Sequence, residues 1–119
     1  KQYYSDWNGY KVQFIAPIPM HQMAEFYSTQ NVLIAPSIWP ESFGLVSREA
    51  LSAGLWVIAS DAGALAEPLK NSAEIVGSVV IPNDAQDLAD ALKRVPQDIK
   101  TRSNNNLNHN NINEMRGEA

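Results

Sequence analysis

The chain has 119 residues, 45% of them hydrophobic and 18% charged, which suits one soluble domain with a core of its own. Its net charge of −4 and its lack of a basic run exclude the electrostatic footprint of a nucleic-acid-binding protein. The absence of cysteine excludes disulfides, thiolate metal sites and a cysteine nucleophile, and fits a reducing compartment. The opening KQYYSDWNGY lacks both an initiator methionine and a signal-peptide hydrophobic region, so we interpret the chain as a piece of a longer protein.

Short apolar runs rich in β-branched residues predict strands that are covered on both faces. They lie at residues 12–15 (VQFI), 32–35 (VLIA), 57–59 (VIA) and 79–81 (VVI). The segments between these runs have helical spacing, and such alternation is typical of an α/β fold with a parallel sheet. We therefore predict a Rossmann-like parallel sheet flanked by helices.

The first two predicted helices have apolar residues on one face. The first follows Pro19 and carries Met20, Met23, Ala24 and Tyr27 at positions i, i+3, i+4 and i+7. The second begins at Phe43 or Gly44 and stops at Gly54, and the residues predicted to point inward are Leu45, Val46, Ala50 and Leu51.

Two further helices are predicted before an asparagine-rich tail. A short one covers residues 64–70, where Pro68 limits its length. The other starts after an Asp84 cap and ends at Arg94, with Leu88, Ala89 and Leu92 on its inner face. We assign residues 1–95 to the Rossmann-like domain and residues 96–119 to a tail that is either disordered or a docking helix.

The segment that carries chemistry is PESFGLVSRE, which follows the predicted strand VLIA. In an open parallel sheet, ligands bind beyond the carboxyl ends of the strands, and this loop lies at that edge. The unpaired N–H groups of Phe43, Gly44 and Leu45 at a helix start suit a phosphate. A glycine also allows a ligand to approach the backbone closely.

Glu41 and Glu49 lie on either side of this helix start. Eight residues of helix rise about 12 Å, whereas two carboxylates that flank one glycosidic bond need roughly 5 to 10 Å. The spacing therefore favours two contacts on an elongated ligand, with hydroxyls at both ends and a charge between them. In isolation, the two glutamates are more typical of a helix N-terminus and a solvated helix face than of a ligand site, and only the longer string around them reverses this preference.

The longer string PSIWPESFGLVSREALSAGLWVIASDAGALAE resembles the donor-site signature of the retaining glycosyltransferases of family 4, a GT-B group of glycosyl transferases group 1. The shared pattern is a Pro-Ser, a Pro-Glu-x-Phe-Gly, a second Glu eight residues after the first, a Val-Ile-Ala strand, and a Gly before another Glu. The resemblance covers roughly residues 11–95. One departure is Trp56, where the family usually has proline.

The resemblance implies a role for each part of the segment. Glu41 would be the catalytic candidate and contact the hexosyl hydroxyls of a nucleotide sugar. The stretch from Ser42 through Phe43 and Gly44 to Leu45 would contact the sugar and the diphosphate through backbone amides. Glu49 would bind the ribose hydroxyls, and Ile18, after the first strand, matches the place of the nucleobase contact. No metal and no cofactor are expected.

The resemblance also implies parts that the chain does not contain. The acceptor site of GT-B enzymes belongs mainly to a first domain, and the basic pair that neutralises the diphosphate lies upstream of the two glutamates. We therefore expect an incomplete C-terminal donor domain with no turnover of its own. Its partners would be a nucleotide-sugar donor, the N-terminal domain of the same parent chain and an acceptor that is a glycan, a lipid or a small molecule.

Association and location follow from the same picture. An incomplete sheet has an open edge, so self-association of the chain is a further expectation. The parent would be cytoplasmic, with a peripheral position at the inner membrane face as an alternative.

Two other functions use a similar sheet. A GT-B nucleotide-sugar epimerase shares a late glutamate, but the Pro-Glu-x-Phe-Gly step is not expected there. A flavodoxin-like interaction or receiver module would require an acidic cluster around a strand-end aspartate. Asp61 follows a predicted strand but has no neighbouring acids.

Overall fold

The structure is a computed structural model that describes the backbone of residues 3–40 and 44–115 and the side chains of residues 4–40 and 44–102. Its elements in chain order are β1 (Tyr3–Trp7), β2 (Tyr10–Phe14), a 3-10 turn (Met20–Gln22), α1 (Met23–Ser28), β3 (Val32–Ala35), α2 (Leu45–Ser52), β4 (Trp56–Ser60), α3 (Glu67–Lys70), β5 (Gly77–Val80) and α4 (Ala85–Met115).

A parallel sheet of three strands, in the order β3-β4-β5, forms the centre of the fold. In its register Val32 is paired with Trp56, and Val57 is paired with Gly77. Every residue of β4 is buried, since this strand has a neighbour on each side and helices on both faces. The predicted α/β fold with a parallel sheet flanked by helices is confirmed, and three of the four predicted strands belong to it.

The fourth predicted strand, at residues 12–15, is wrong as a buried parallel strand. Residues 10–14 form β2, which pairs antiparallel with β1 in a separate two-stranded sheet. Asn8 and Gly9 connect the two strands, both with positive φ, and this two-residue turn matches the twist of a hairpin. Its strands carry exposed aromatic side chains, including Tyr10, which is 76% exposed. The Asn-Gly dipeptide was the signal in the sequence for this local pairing.

One face of the parallel sheet is covered by the short helices α1, α2 and α3. Val57 and Ala59 of β4 point to this face and pack with Tyr27 of α1, Ala50 of α2 and Leu65. In α2 the predicted inward positions are only partly correct. Ala50 is buried and Leu51 half-buried, but Leu45 and Val46 are exposed, and the polar Ser47 is buried in their place.

The other face is covered by α4. Trp56 and Ile58 of β4 pack with Val80 and with Ala91 of α4, and the half-buried side chains that join them are Val32, Leu88, Val95 and Ile99. The contact face of α4 therefore repeats at positions 88, 91, 95 and 99. Leu92, which was predicted to point inward, is 40% exposed.

The ends of α4 differ in how well the sequence predicted them. Asp84 caps the start as predicted, since its Oδ1 accepts a hydrogen bond from the Asp87 N–H at 2.9 Å. The helix does not stop at Arg94 but continues to Met115, across Pro96 and across the predicted boundary between domain and tail. Val95 and Ile99, on either side of Pro96, pack on the sheet and stabilise the helix through a residue that normally interrupts one. The division into two regions at residues 95 and 96 stays a prediction.

Candidate functional site

Four of the seven predicted site residues lie in the part of the chain that the structure describes. Gly44, Leu45 and Glu49 belong to the start and the first turns of α2, and Ile18 lies between β2 and the 3-10 turn. The other three, Glu41, Ser42 and Phe43, lie outside the described residues. The geometry of the site is therefore that of α2 and its surroundings.

Gly44 is the N-cap of α2 and has a left-handed backbone, with φ 61° and ψ 35°. It is buried, and a Cβ atom at this position would lie 2.4 Å from the carbonyl oxygen of Ala64. Both the backbone conformation and the close approach of Ala64 require glycine here. Packing alone accounts for this residue, and its contact with a ligand stays a prediction.

Ser47 connects the start of α2 with the segment that follows β4. Its side chain is fully buried, and its hydroxyl lies 2.8 Å from the Leu65 carbonyl oxygen and 3.0 Å from that of Gly44. A hydroxyl has one hydrogen to donate, so these two acceptors share it. The first turn of α2 is thereby held against the carboxyl edge of the sheet. Sequence reasoning missed Ser47, because a serine inside a helix carries no signal for burial.

The N-terminus of α2 has the chemistry of an anion-binding site. Gly44 supplies no side-chain cap to the first N–H groups of the helix, and Leu45 is 60% exposed. These backbone donors and the positive end of the helix dipole lie at the carboxyl edge of the sheet. The short length of α2, eight residues, means that its neighbours rather than its own propensity keep it in place.

Glu49 lies on the second turn of α2 and faces an open pocket of about 430 Å³. The pocket lies between α2 and the segment formed by the 3-10 turn and α1. We call it the Glu49 pocket, and its lining residues are Met20, Ala24, Tyr27, Arg48, Glu49, Ser52 and Ala53. A carboxylate beside apolar side chains suits a ligand that offers hydroxyl donors together with a flat apolar surface.

Tyr27 joins the hydrophobic core to the Glu49 pocket. It is 4% exposed and packs with Ala50 and Val57. Burial raises the pKa of its phenol above the usual value, and the negative charge of Glu49 raises it further. The phenol is therefore a neutral hydrogen-bond donor over the whole physiological range. The sequence predicted Tyr27 only as a core residue of an amphipathic helix.

Arg48 and Ile18 differ in their relation to the pocket. Arg48 lines it, and its Nη2 also lies 3.5 Å from Oε2 of Glu67, a half-exposed pair. Glu67 is the final glutamate of the motif and opens α3. Ile18 is half-buried and lies two residues before Met20, outside the set of lining residues. The structure thus brings Glu49, Tyr27 and Arg48 to one pocket, and Ile18 is not among the lining residues of that pocket.

A second, smaller cavity of about 200 Å³ lies on the α4 face, at the carboxyl ends of the strands. Ser60, Asn83 and Asp84 are its polar lining residues. None of the four described site residues borders this cavity. The Asp84 carboxylate that lines it already caps α4. The described residues contain no group of three or more side chains that could hold a metal ion, and no described helix has the length and hydrophobicity of a membrane span.

Comparison with known proteins identifies relatives over most of the chain. The family model of the glycosyl transferases group 1 matches residues 6–113. The D-inositol 3-phosphate glycosyltransferase of Corynebacterium aurimucosum is 36% identical over 87 residues, which cover 73% of this chain and 20% of that protein. An uncharacterised glycosyltransferase of Methanocaldococcus jannaschii is 33% identical over 89 residues, covering 75% of this chain and 22% of that protein.

A solved structure agrees with these sequences. Sucrose-phosphate synthase from Thermosynechococcus elongatus superimposes with a TM-score of 0.63 at 40% sequence identity, over 71% of this chain and 21% of that one. The chain spans about a fifth of the length of the relatives that it matches.

Proposed function

This chain belongs to the glycosyl transferases group 1 family, and we propose that it forms part of the donor-binding domain of a retaining, two-domain GT-B glycosyltransferase of family 4. The parent enzyme would transfer a hexosyl group from a nucleoside-diphosphate sugar to an acceptor. The chain would contribute the C-terminal, Rossmann-like half of the donor site. The acceptor site and the basic pair at the diphosphate would come from the rest of the parent protein.

The observation that carries this proposal is the position of Glu49 relative to the start of α2. Glu49 follows Leu45 by four positions, a rise of about 6 Å along the helix. One turn of helix therefore lies between a set of backbone N–H donors at the sheet edge and a carboxylate in an open pocket. A diphosphate joined to a ribose presents anionic oxygens and a vicinal diol in this order.

Other residues would contact the two ends of the same ligand. Glu41, before the helix start, would accept hydrogen bonds from the hexosyl hydroxyls, and the amides of residues 42–45 would contact the sugar and diphosphate. The nucleobase would lie on the apolar side of the Glu49 pocket, near Met20 and Ile18. Catalysis would use electrostatic stabilisation of the departing diphosphate, for which preorganised backbone donors are well suited.

The names of the relatives bear on the acceptor. Inositol 3-phosphate, in the name of one relative, and sucrose phosphate, the product in the name of the other, are both small phosphorylated molecules. They favour a small polar acceptor for the parent enzyme over a glycan or a lipid.

Nucleotide-sugar titrations test the proposal directly. We expect UDP-, GDP- or ADP-glucose to perturb backbone NMR signals at residues 44–53 of the 119-residue chain. Glu49→Gln should weaken binding about tenfold, because hydrogen bonds to a charged acceptor contribute about 1.5–3 kcal/mol. The chain alone should show no transfer of glucose to inositol 3-phosphate.

Glu74→Gln is the matched control. Glu74 is exposed, precedes β5 at the amino end of the strand, and lies away from the Glu49 pocket. It changes the net charge as Glu49→Gln does and should leave the affinity unchanged. Binding that is equally weak in both variants, or no perturbation by any of the three nucleotide sugars, would contradict the proposed donor site.

A further inference from the structure

The smaller cavity, on the α4 face, contains a buried hydroxyl group that no described protein group uses. Ser60, the last residue of β4, is 1% exposed and lines this cavity, which we call the Ser60 cavity. None of the hydrogen bonds among the described residues involves its side chain. A buried hydroxyl without a partner lowers stability, so its presence points to an occupant that supplies the missing hydrogen bond.

The Ser60 cavity begins where the apolar contacts between α4 and the sheet end. Trp56 and Ile58 of β4 pack beneath α4, and Ser60 is the next residue on the same face of the strand. Its partner in the register is Val80, at the end of β5. The cavity therefore lies at the carboxyl edge of the sheet, where open parallel sheets bind their ligands.

Two further polar side chains line the cavity, Asn83 and Asp84 from the start of α4. Asp84 caps the helix through Oδ1, and its second carboxylate oxygen makes no hydrogen bond with a described residue. The described lining residues include no lysine or arginine. The positive end of the α4 dipole is complemented by Asp84 and by Asp87 in the first turn. A negatively charged ligand would therefore be repelled here.

The rest of the lining limits the size and the shape of a ligand. Ile38, Ile81 and Leu88 supply aliphatic surface, and the first two are more than half exposed. The volume of about 200 Å³ is below the roughly 300–1,000 Å³ of sites for drug-sized ligands, so a nucleotide sugar does not fit. Such a cavity suits one small ring with hydroxyl groups on its edge and C–H groups on a face.

We propose that the Ser60 cavity binds a single neutral sugar ring, as a second carbohydrate site apart from the Glu49 pocket. Hydroxyl groups of the ring donate to the second oxygen of Asp84 and form a hydrogen bond with Ser60, while its C–H face packs on Ile81. The ring is either a free monosaccharide or the terminal residue of a glycan, since both present these groups. The inference does not depend on the proposed donor site, because the Glu49 pocket lies on the other face of the sheet.

Sugar titrations of the 119-residue chain, followed by methyl NMR signals, test the site. We expect glucose, mannose or galactose to shift the signals of Ile38, Ile81 and Leu88 with a Kd in the millimolar range, because one small ring makes few contacts. The methyl signal of Met20, in the Glu49 pocket, should stay in place. No shift with any of the three hexoses at up to about 0.1 M would overturn the inference.

Two further sugars test the class of ligand and its source. Glucose 6-phosphate should bind at least threefold more weakly than glucose because of the charge of Asp84. Tighter binding of the phosphate would overturn the assignment of a neutral ligand. Maltose distinguishes the two sources: binding as tight as that of glucose indicates the end of a glycan, and loss of binding indicates a free monosaccharide.

Ser60→Ala removes the buried hydroxyl and little volume. We expect it to weaken the binding of the tightest hexose three- to tenfold, through the loss of one hydrogen bond. Ser52→Ala is the matched control, since Ser52 is exposed and lines the Glu49 pocket instead. Its affinity for the hexose should be that of the wild type. Equal affinity of Ser60→Ala and the wild type would overturn the inference.

Asp84→Asn keeps the site testable if Ser60→Ala does not fold. Asparagine caps helices as well as aspartate does, so the start of α4 should be retained. We expect the variant to bind the hexose more weakly and to discriminate less against glucose 6-phosphate. Unchanged affinity for both sugars would overturn the inference.

Glu49→Gln separates this inference from the proposed function. It should weaken the binding of a nucleotide sugar and leave the affinity for the hexose unchanged. A nucleotide sugar that displaces the hexose, or weaker hexose binding in Glu49→Gln, would make the cavity a part of the donor site and overturn a second carbohydrate site. Hexose binding in a chain that binds no nucleotide sugar would refute the donor site alone.

Discussion

The two faces of the parallel sheet are built in different ways. On one face, three short helices of six, eight and four residues cover the sheet and enclose buried polar groups, Ser47 and the phenol of Tyr27. On the other face, one long helix packs apolar side chains against Trp56 and Ile58. The candidate site belongs to the first face. The second face stabilises the sheet against which α2 packs.

The difference has a physical cause. Helices this short are not stable by themselves, so each depends on tertiary contacts such as the Ser47 hydrogen bonds. Such contacts hold the backbone in place at an open pocket without filling it. A continuous apolar face, as on α4, buries more surface and excludes water, which suits stability rather than binding.

Truncation of Trp56 should have the largest effect on stability. Its side chain is 1% exposed, packs in the α4 face, and has the guanidinium of Arg102 5.3 Å from its ring centre. We expect Trp56→Ala to lower the free energy of unfolding by about 3–5 kcal/mol. Urea denaturation followed by circular dichroism measures the loss.

Leu92→Ala is the control on the same helix. Leu92 is 40% exposed, so its truncation should cost about 1 kcal/mol or less. Equal losses for the two variants would contradict the assignment of α4 contacts to positions 88, 91, 95 and 99.

Gly44→Ala should have the next largest effect, and it tests the first face. The new Cβ would meet the Ala64 carbonyl oxygen at 2.4 Å, and its backbone would keep a φ of 61°. Gly54→Ala measures the effect of the left-handed backbone alone, since Gly54 has φ 87° and a Cβ there would have no atom within 4 Å. We expect Gly54→Ala to lower the free energy of unfolding by about 1–2 kcal/mol, because alanine is strained in a left-handed backbone. Gly44→Ala should lower it by more. Thermal unfolding of the two variants separates the effect of backbone strain from that of the steric clash with Ala64. A smaller loss of stability in Gly44→Ala than in Gly54→Ala would show that the loop at Ala64 moves aside.

Ser47→Ala should have the smallest effect of the three. It removes the hydroxyl that lies 2.8 Å from the Leu65 carbonyl oxygen and leaves that buried acceptor without this donor. We expect a loss of about 1–2 kcal/mol, together with weaker nucleotide-sugar binding, because the start of α2 is no longer held. Ser52→Ala, on an exposed position of the same helix, is the control for unfolding. Wild-type affinity in Ser47→Ala would show that α2 keeps its place without this hydrogen bond.

Much of the fold was predictable because its signals are local. The strands at residues 32–35, 57–59 and 79–81 have β-branched apolar runs, and the Asp84 cap and Gly54 stop are specified by single residues. The hairpin was predictable in principle from Asn8-Gly9. Residues 12–15 were misassigned because an apolar run does not reveal its pairing partner, and a neighbouring strand across a two-residue turn forms at a small entropic cost.

The candidate site also has features that the sequence predicted and features that it did not. The sequence by itself determined the order of Glu41, Gly44 and Glu49 after a strand and, through the whole motif, the family. Only the tertiary structure decided that Gly44 makes room for Ala64, that Ser47 is buried, and that Tyr27 and Glu49 line one pocket. The reason is that motif spacing follows from the covalent chain. A contact between helices α1 and α2 depends instead on how both pack against β4, and the helical periodicity of each segment carries no information about its partner.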